Sequence, residues 1–193
     1  MTSSRLLFFL AVLSIVPFFT GCREEPLKIN YELGIFPDSV IALEGLNTEH
    51  DDYNMDIEAG RIDARLPVVF SSNRQSAGGE FDLTHGLIWY SFGQTTGSFQ
   101  LESEMAADVF LDRLTSAFNT GGNEFGPLRF FNGRNGLEYM AAATETDENG
   151  LDIVFTSYIP AFTNLPAVEP PVGATLFNSQ SDDAYLSLGT TLD

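Results

Sequence analysis

One cysteine stands in 193 residues, at Cys22, so no disulfide can close within the chain. Two histidines occur, His50 and His85, and neither lies in a His-x-x-x-His or cysteine-rich cluster, which argues against zinc. Basic residues are scarce: 9 Lys+Arg face 27 Asp+Glu, a formal net charge of −18. A field of that sign repels phosphate backbones and anionic head groups, so nucleic acid is not an expected partner. There is no Gly-x-Ser-x-Gly elbow to carry a hydrolase nucleophile. The carboxylates are too many and too unpatterned to single out a glycosidase pair. The apolar run 6–19 is 14 residues long, broken by Ser14 and Pro17, and falls short of the ~20 residues a spanning helix needs.

What is present is apolar and turn-rich. The chain is 44% hydrophobic and 12% aromatic, with 17 Phe, 17 Gly and 9 Pro. This composition predicts one domain with a real core, built of many short strands and turns. Residues 1–21 read as a signal peptide, with Arg5 as a minimal basic start before the apolar run. Phe19-Thr20-Gly21-Cys22 resembles a bacterial lipobox, with Phe19 where leucine is usual. The resemblance implies a diacylglycerol on the Cys22 sulfur and a further acyl chain on its amine. Two or more such chains make a stable membrane anchor. Arg23-Glu24-Glu25 is similar to the acidic export signal that sends lipoproteins to the outer face of the outer membrane. Residues 22–36 are expected to form an acidic tether, with a short strand over 28–33. Removing 1–21 takes away Arg5 and no acid, leaving 27 acids against 8 Lys+Arg, a side-chain charge of −19.

From residue 37 onward the chain repeats. Leu46-Asn47-Thr48-Glu49-His50-Asp51-Asp52-Tyr53 aligns with Phe118-Asn119-Thr120-Gly121-Gly122-Asn123-Glu124-Phe125. Both align with Phe177-Asn178-Ser179-Gln180-Ser181-Asp182-Asp183-Ala184. The shared phrase is apolar, Asn, Thr/Ser, two variable residues, Asp/Asn, Asp/Glu, at offsets of 72 and 59 residues. Asp52 precedes Asp82 by 30 residues and Glu124 precedes Asp152 by 28. Phe70 and Met140 each lie 12 residues before the central Asp and are taken as equivalent strand positions. A period above ~40 residues with several strands per unit is a propeller-type signal.

Each unit reads as an antiparallel meander. The first has strands near 53–57, 67–71, 81–92 and 98–102; the second near 127–131, 137–143 and 151–159. Asp147-Glu148-Asn149-Gly150 suits a hairpin turn. Between the units, Ala107, Phe110, Leu111, Leu114 and Phe118 fall on one helical face, so 103–118 predicts a helical insertion closed by Asn119 and Gly121. The fold class is all-β: a partial β-propeller of about two four-stranded blades (47–102 and 119–177) with one short inserted helix and the start of a third blade (178–193). A closed propeller needs ~4–8 blades, so the expectation is an N-terminal part of a longer protein, or blades completed by another chain.

The stretch 47–83 resembles the TolB-like β-propeller repeat of Bacteroidetes envelope lipoproteins and OmpA-like proteins. The residues that carry the resemblance are Asp51-Asp52-Tyr53-Asn54, Phe70-Ser71-Ser72-Asn73-Arg74, Gly78-Gly79 and Phe81-Asp82-Leu83. Met55 stands where proline is usual, and Glu58-Ala59-Gly60-Arg61 replaces the common Pro-Asp-Gly turn. In the second unit Ala141-Ala142-Ala143-Thr144 is placed opposite Ser-Ser-Asn-Arg, so the arginine contact is missing there.

The resemblance implies an architectural role for these residues. Arg74 is expected to pair with Asp82, Asp51 or Asp52. Ser71, Ser72, Asn73 and Asp82 are expected to satisfy backbone groups where strands end. Asn47, Tyr53, Asn119, Glu124, Asp152, Asn178, Asp182 and Asp183 complete the structural set. The competing site readings are a cation such as Ca²⁺ held by Glu49, Asp51 and Asp52 with His50, a Ser71–His85–Asp82 triad, and sugar stacking by Trp89, Tyr90 and Phe92 rather than packing between blades. No cofactor is expected. The expected function is a non-catalytic outer-membrane lipoprotein, anchored in the membrane through Cys22, whose propeller binds an envelope protein, peptide or glycan. The alternative is an accessory domain of a glycan-acting or peptidase-type enzyme with its catalytic part beyond Asp193.

Overall fold

The computed structural model describes residues 40–57, 65–146, 150–159 and 166–187. The signal peptide, Cys22, the tether with its strand at 28–33, the turn at 58–61, Asp147–Asn149 and residues 188–193 lie outside these. Among the described residues, two four-stranded antiparallel sheets and one short helix account for the regular structure, in a propeller-like arrangement with no closed barrel. The first sheet has the order β1 (Asp52–Ile57), β2 (Arg65–Ser72), β3 (Asp82–Phe92), β4 (Phe99–Glu104). Helix α1 (Val109–Phe118) follows. The second sheet has the order β5 (Glu124–Asn132), β6 (Leu137–Thr146), β7 (Gly150–Tyr158), β8 (Val172–Gly173).

Helix α1 is shorter than the insertion predicted from periodicity. Asp108 caps it, its carboxylate accepting from the Phe110 and Leu111 amides at 2.9 and 3.0 Å. That capping Asp just before an apolar-periodic run was readable in the sequence. Ala107 therefore lies outside the helix and is exposed, while Leu111, Leu114 and Phe118 carry the buried stripe.

The second strand of each sheet is covered on both faces, which is why its apolar run is continuous rather than alternating. On one face of the first sheet Val68, Phe70 and Ile88 pack with Leu46. On the other face Val69 and Leu83 pack with Leu111 and Leu114 of α1 and with Phe118, Met140, Ala142 and Tyr158. Ladder partners show that Val68, Phe70 and Ile88 correspond to Met140, Ala142 and Tyr158. With Leu46 matched by Phe118, the same four-residue cluster recurs with its volumes redistributed. Phe70 becomes Ala142, while Leu46 becomes Phe118 and Ile88 becomes Tyr158. Such exchange keeps a core filled when total volume is conserved.

This register corrects one equivalence. Asp52 faces Ser72 and Glu124 faces Thr144, while Asp82 faces Ser72 and Asp152 faces Thr144. Met140 thus matches Val68, not Phe70, and Ser71-Ser72-Asn73-Arg74 corresponds to Ala143-Thr144-Glu145-Thr146. The physical cause is a hairpin two residues shorter between β6 and β7 than between β2 and β3. β1 and β5 carry bulges at the same place, between Tyr53 and Asp56 and between Phe125 and Leu128. The bulge explains why β5 begins at Glu124, ahead of Pro127. Its first residue sits in the left-handed region: Asn54 at φ 58° and Gly126 at φ 58°, with Tyr185 of the third phrase at φ 71°. Glycine enters that region freely and asparagine tolerates it.

Candidate functional site

The three phrases fold alike. Each threonine or serine accepts from a later amide and feeds the phrase's last acid. The Thr48 amide and hydroxyl donate to Asp52 Oδ2 at 2.8 and 2.9 Å, and the Thr120 amide and hydroxyl donate to Glu124 Oε1 at 3.1 and 2.7 Å. The Ser179 amide donates to Asp183 Oδ2 at 2.5 Å. The hydroxyls of Thr48, Thr120 and Ser179 accept from the amides of His50, Gly122 and Ser181. Such side-chain-to-backbone bonds fix a turn without help from a ladder.

The phrase asparagine reaches across to the neighbouring sheet. Asn119 Oδ1 accepts from the Leu83 amide at 2.8 Å and its Nδ2 donates to the Leu83 carbonyl at 3.0 Å. Asn178 treats Ile153 identically, at 2.9 and 3.0 Å. Leu83 and Ile153 are equivalent, each one residue past the central Asp. Asn47 is exposed, and its side chain has no partner among the described residues. Four residues further on, Asn123 Oδ1 takes the Phe81 amide and Asp182 Oδ1 takes the Leu151 amide, each at 3.0 Å.

Arg74 pairs with Asp52, one of the three acids expected. Its Nη2 donates to Asp52 Oδ1 and to the Leu46 carbonyl, both at 2.5 Å, and its Nε donates to Ser72 Oγ at 2.8 Å. The guanidinium also lies 5.1 Å from the Phe70 ring centre. Burial pushes the Asp52 carboxyl up, but Arg74, Ser72 and Thr48 outweigh burial and hold it below its ordinary range. Asn73 closes the strand end by accepting from the Asp51 amide at 2.9 Å and donating to its carboxylate. Ser71 is fully buried with its hydroxyl unbonded among the described residues. Among the described residues, Asp82 takes no hydrogen bond from Arg74 or a strand-end amide. Burial, then the charge of Glu80, raises its carboxyl above the ordinary range.

In the second sheet Thr146 stands where Arg74 would, and the counterpart of Asp52 is Glu124, with no exposed surface. Burial pushes Glu124 up to about 7; the Thr120 donors oppose the rise, and the charges of Asp82 and Glu145 add to it. Glu124 Oε2, Thr144 Oγ1 and Asp152 Oδ1 are all buried without a partner among the described residues. The three residues are direct neighbours across β5, β6 and β7.

One inter-sheet contact has no repeat precedent. Arg129 of β5 donates from Nε to Asp56 of β1 at 2.7 Å and from Nη2 to the Pro67 carbonyl at 2.7 Å. Both side chains of this ion pair are buried, at 3% and 6% exposed. No periodic signal marked Arg129, because its counterpart is Ile57 and the counterpart of Asp56 is Leu128. Beside it, Tyr53, Phe81 and Phe125 form a ring cluster with centroids 4.8 to 5.9 Å apart.

The competing site readings fare less well. Asp51 and Asp52 are engaged by Asn73, Thr48 and Arg74, and among the described residues no group of three or more His, Cys, Asp and Glu could hold a metal ion. His85 bonds neither Ser71 nor Asp82; its Nε2 lies 2.9 Å from Asp112 Oδ1 on α1, beside an open cavity of about 380 Å³. Trp89, Tyr90 and Phe92 do not pack between sheets. Trp89 lies under the Arg65 guanidinium at 4.7 Å, Tyr90 stacks on Phe99 at 5.9 Å, and Tyr90 and Phe92 are exposed. No protein family, curated protein or solved structure matches the chain.

Proposed function

We propose that the chain is a non-catalytic binding or scaffold module of the TolB-like propeller kind, held on an outer membrane by lipid on Cys22. The observation that carries this reading is how the repeat spends its polar residues. Asp52, Arg74, Asn73, Asn119, Asn178 and Asp183 are bonded within or between sheets, so these residues fasten an architecture and the main recognition surface is the exposed one. The partner class is an envelope protein, peptide or glycan, met by exposed side chains such as Tyr53, Tyr90, Phe131 and Tyr185. Expressed with its own leader in a bacterial host, the chain should enter the membrane fraction with an acylated mature N-terminus by mass spectrometry. Cys22→Ser should release it. An unacylated Cys22 refutes the anchor. Photo-crosslinkers at Tyr53 and Phe131 should capture a discrete envelope component, and turnover of a glycan or peptide by the purified chain would refute the non-catalytic reading.

A further inference from the structure

We propose that the second sheet carries a receptor site for a guanidinium group supplied from outside the chain, at the place where the first sheet uses its own Arg74. The inference stands on the two sheets alone and is independent of the membrane anchor. In the first sheet Arg74 is held by three acceptors: Asp52 Oδ1, Ser72 Oγ and the Leu46 carbonyl. Register places Glu124, Thr144 and Phe118 at the same three positions. Glu124 Oε2 and Thr144 Oγ1 are the counterparts of atoms that Arg74 occupies, and both are buried without a partner. Asp152 Oδ1, opposite Thr144, is a third unbonded acceptor.

The acceptors survive while the donor is gone. Thr146 at the arginine position is too short to reach them; its hydroxyl turns to the Gly150 carbonyl and Asp152 Oδ2, each at 3.2 Å. Adjoining this place, and touching Thr120 and Thr146 but none of the three acceptor residues, lies a cavity of about 780 Å³ with Glu80 and Glu145 in its lining. Thr120 is bonded to Glu124, and Thr146 lies two residues along β6 from Thr144, on the same face. The cavity has an acidic lip in Glu80 and Glu145, and the unbonded acceptors are buried behind its Thr120 and Thr146 walls, which bond Glu124 Oε1 and Asp152 Oδ2, so a guanidinium reaches them by displacing those side chains. Acceptors on side chains of neighbouring strands, whose facing Cβ atoms lie roughly 5 Å apart, suit the planar fork of a guanidinium. A metal ion instead needs oxygens converging to about 2.3–2.6 Å, and an ammonium has no fork to span them.

The test uses arginine methyl ester and lysine methyl ester as probes, titrated into the full chain at pH 8 and followed by amide shifts in NMR. The arginine ester should saturate, with shifts concentrated at Thr120, Gly122, Thr144 and Thr146, and should bind at least about tenfold more tightly than the lysine ester. Thr146→Arg should fill the site from within, raise the melting temperature and abolish binding. Glu124→Gln should weaken binding at least about tenfold and serves as the second variant if Thr146→Arg does not fold. An arginine-containing peptide that binds more tightly than the ester identifies a protein partner; equal affinity identifies a free small molecule. Equal, unsaturable shifts with both esters, or unchanged binding in Thr146→Arg and Glu124→Gln, would overturn the proposal.

Discussion

Consider replacing Asn119 by alanine. The side chain makes two hydrogen bonds to one residue, Leu83, which is 1% exposed. Truncation leaves the Leu83 amide and carbonyl at the sheet interface without their partner. Leaving a buried backbone group unpaired costs about 1–3 kcal/mol, so the pair should cost about 2–4 kcal/mol, allowing for partial access of water. In a domain of this size that lowers the melting temperature by roughly 5–15 °C. Internal controls exist because the same asparagine occurs three times. Asn178→Ala removes the same two bonds, to Ile153, in a phrase that carries less of the core, and should cost somewhat less. Asn47→Ala removes nothing bonded among the described residues and should fall within about 0.5 kcal/mol of wild type. Asn119→Asp keeps the acceptor, loses the donor, and should fall between. Urea unfolding by near-ultraviolet circular dichroism measures all four. Equal losses at Asn47 and Asn119, or a loss below about 0.5 kcal/mol at Asn119, would refute the clamp as a source of stability.

Two further perturbations probe the charges inside the fold. Glu124 has its carboxyl pushed up to about 7, so folding favours the protonated form. Its stabilising share is complete below the ordinary carboxylate range and is lost as pH rises through about 7. The shift sets a ceiling of about 3 kcal/mol. Glu124→Gln should therefore be nearly neutral at pH 5 and stabilising by about 2–3 kcal/mol at pH 8; an equal effect at both pH values refutes the buried ionisation. Asp56→Leu should cost about 3–5 kcal/mol because it takes a buried ion-pair partner from Arg129, whereas adding Arg129→Met should recover most of that loss. Thermal unfolding of the single and double variants decides it, and simple additivity would refute direct coupling.

The phrase itself was legible because its chemistry is local. A threonine or serine that bonds an acid four residues on needs no distant partner, so three copies at uneven offsets still announce one turn. The strands were legible for the same reason: Val68-Val69-Phe70 has no alternation because each face meets a different layer. What sequence could not supply was facing. Arg74 had three acids within reach by chain distance; the ladder sets both Asp52 and Asp82 beside Ser72, and only the direction the guanidinium takes, toward the Leu46 carbonyl, selects Asp52. The two-residue slip in the second unit has a similar origin. Ala141, Ala142 and Ala143 offer no size contrast, and a uniform small apolar run leaves register weakly specified; the pairing of Glu124 with Thr144 fixes it.

The contacts that differentiate the two sheets are those that break the repeat, and repetition hides them. Asp56–Arg129 joins two positions whose counterparts are Leu128 and Ile57, so no alignment of the units could mark it. Such a pair adds little stability over an apolar replacement. It does distinguish the face between the sheets from any other pairing of similar sheets, because a wrong neighbour would break the buried pair. The exchange of Arg74 for Thr146 works in the opposite sense. It leaves the second sheet with the acceptors and without the arginine, so two units with a common backbone differ in what satisfies their strand ends. In a repeat fold the shared residues hold the layers together, and capacity for a partner is to be sought at positions where one copy has lost what the other retains.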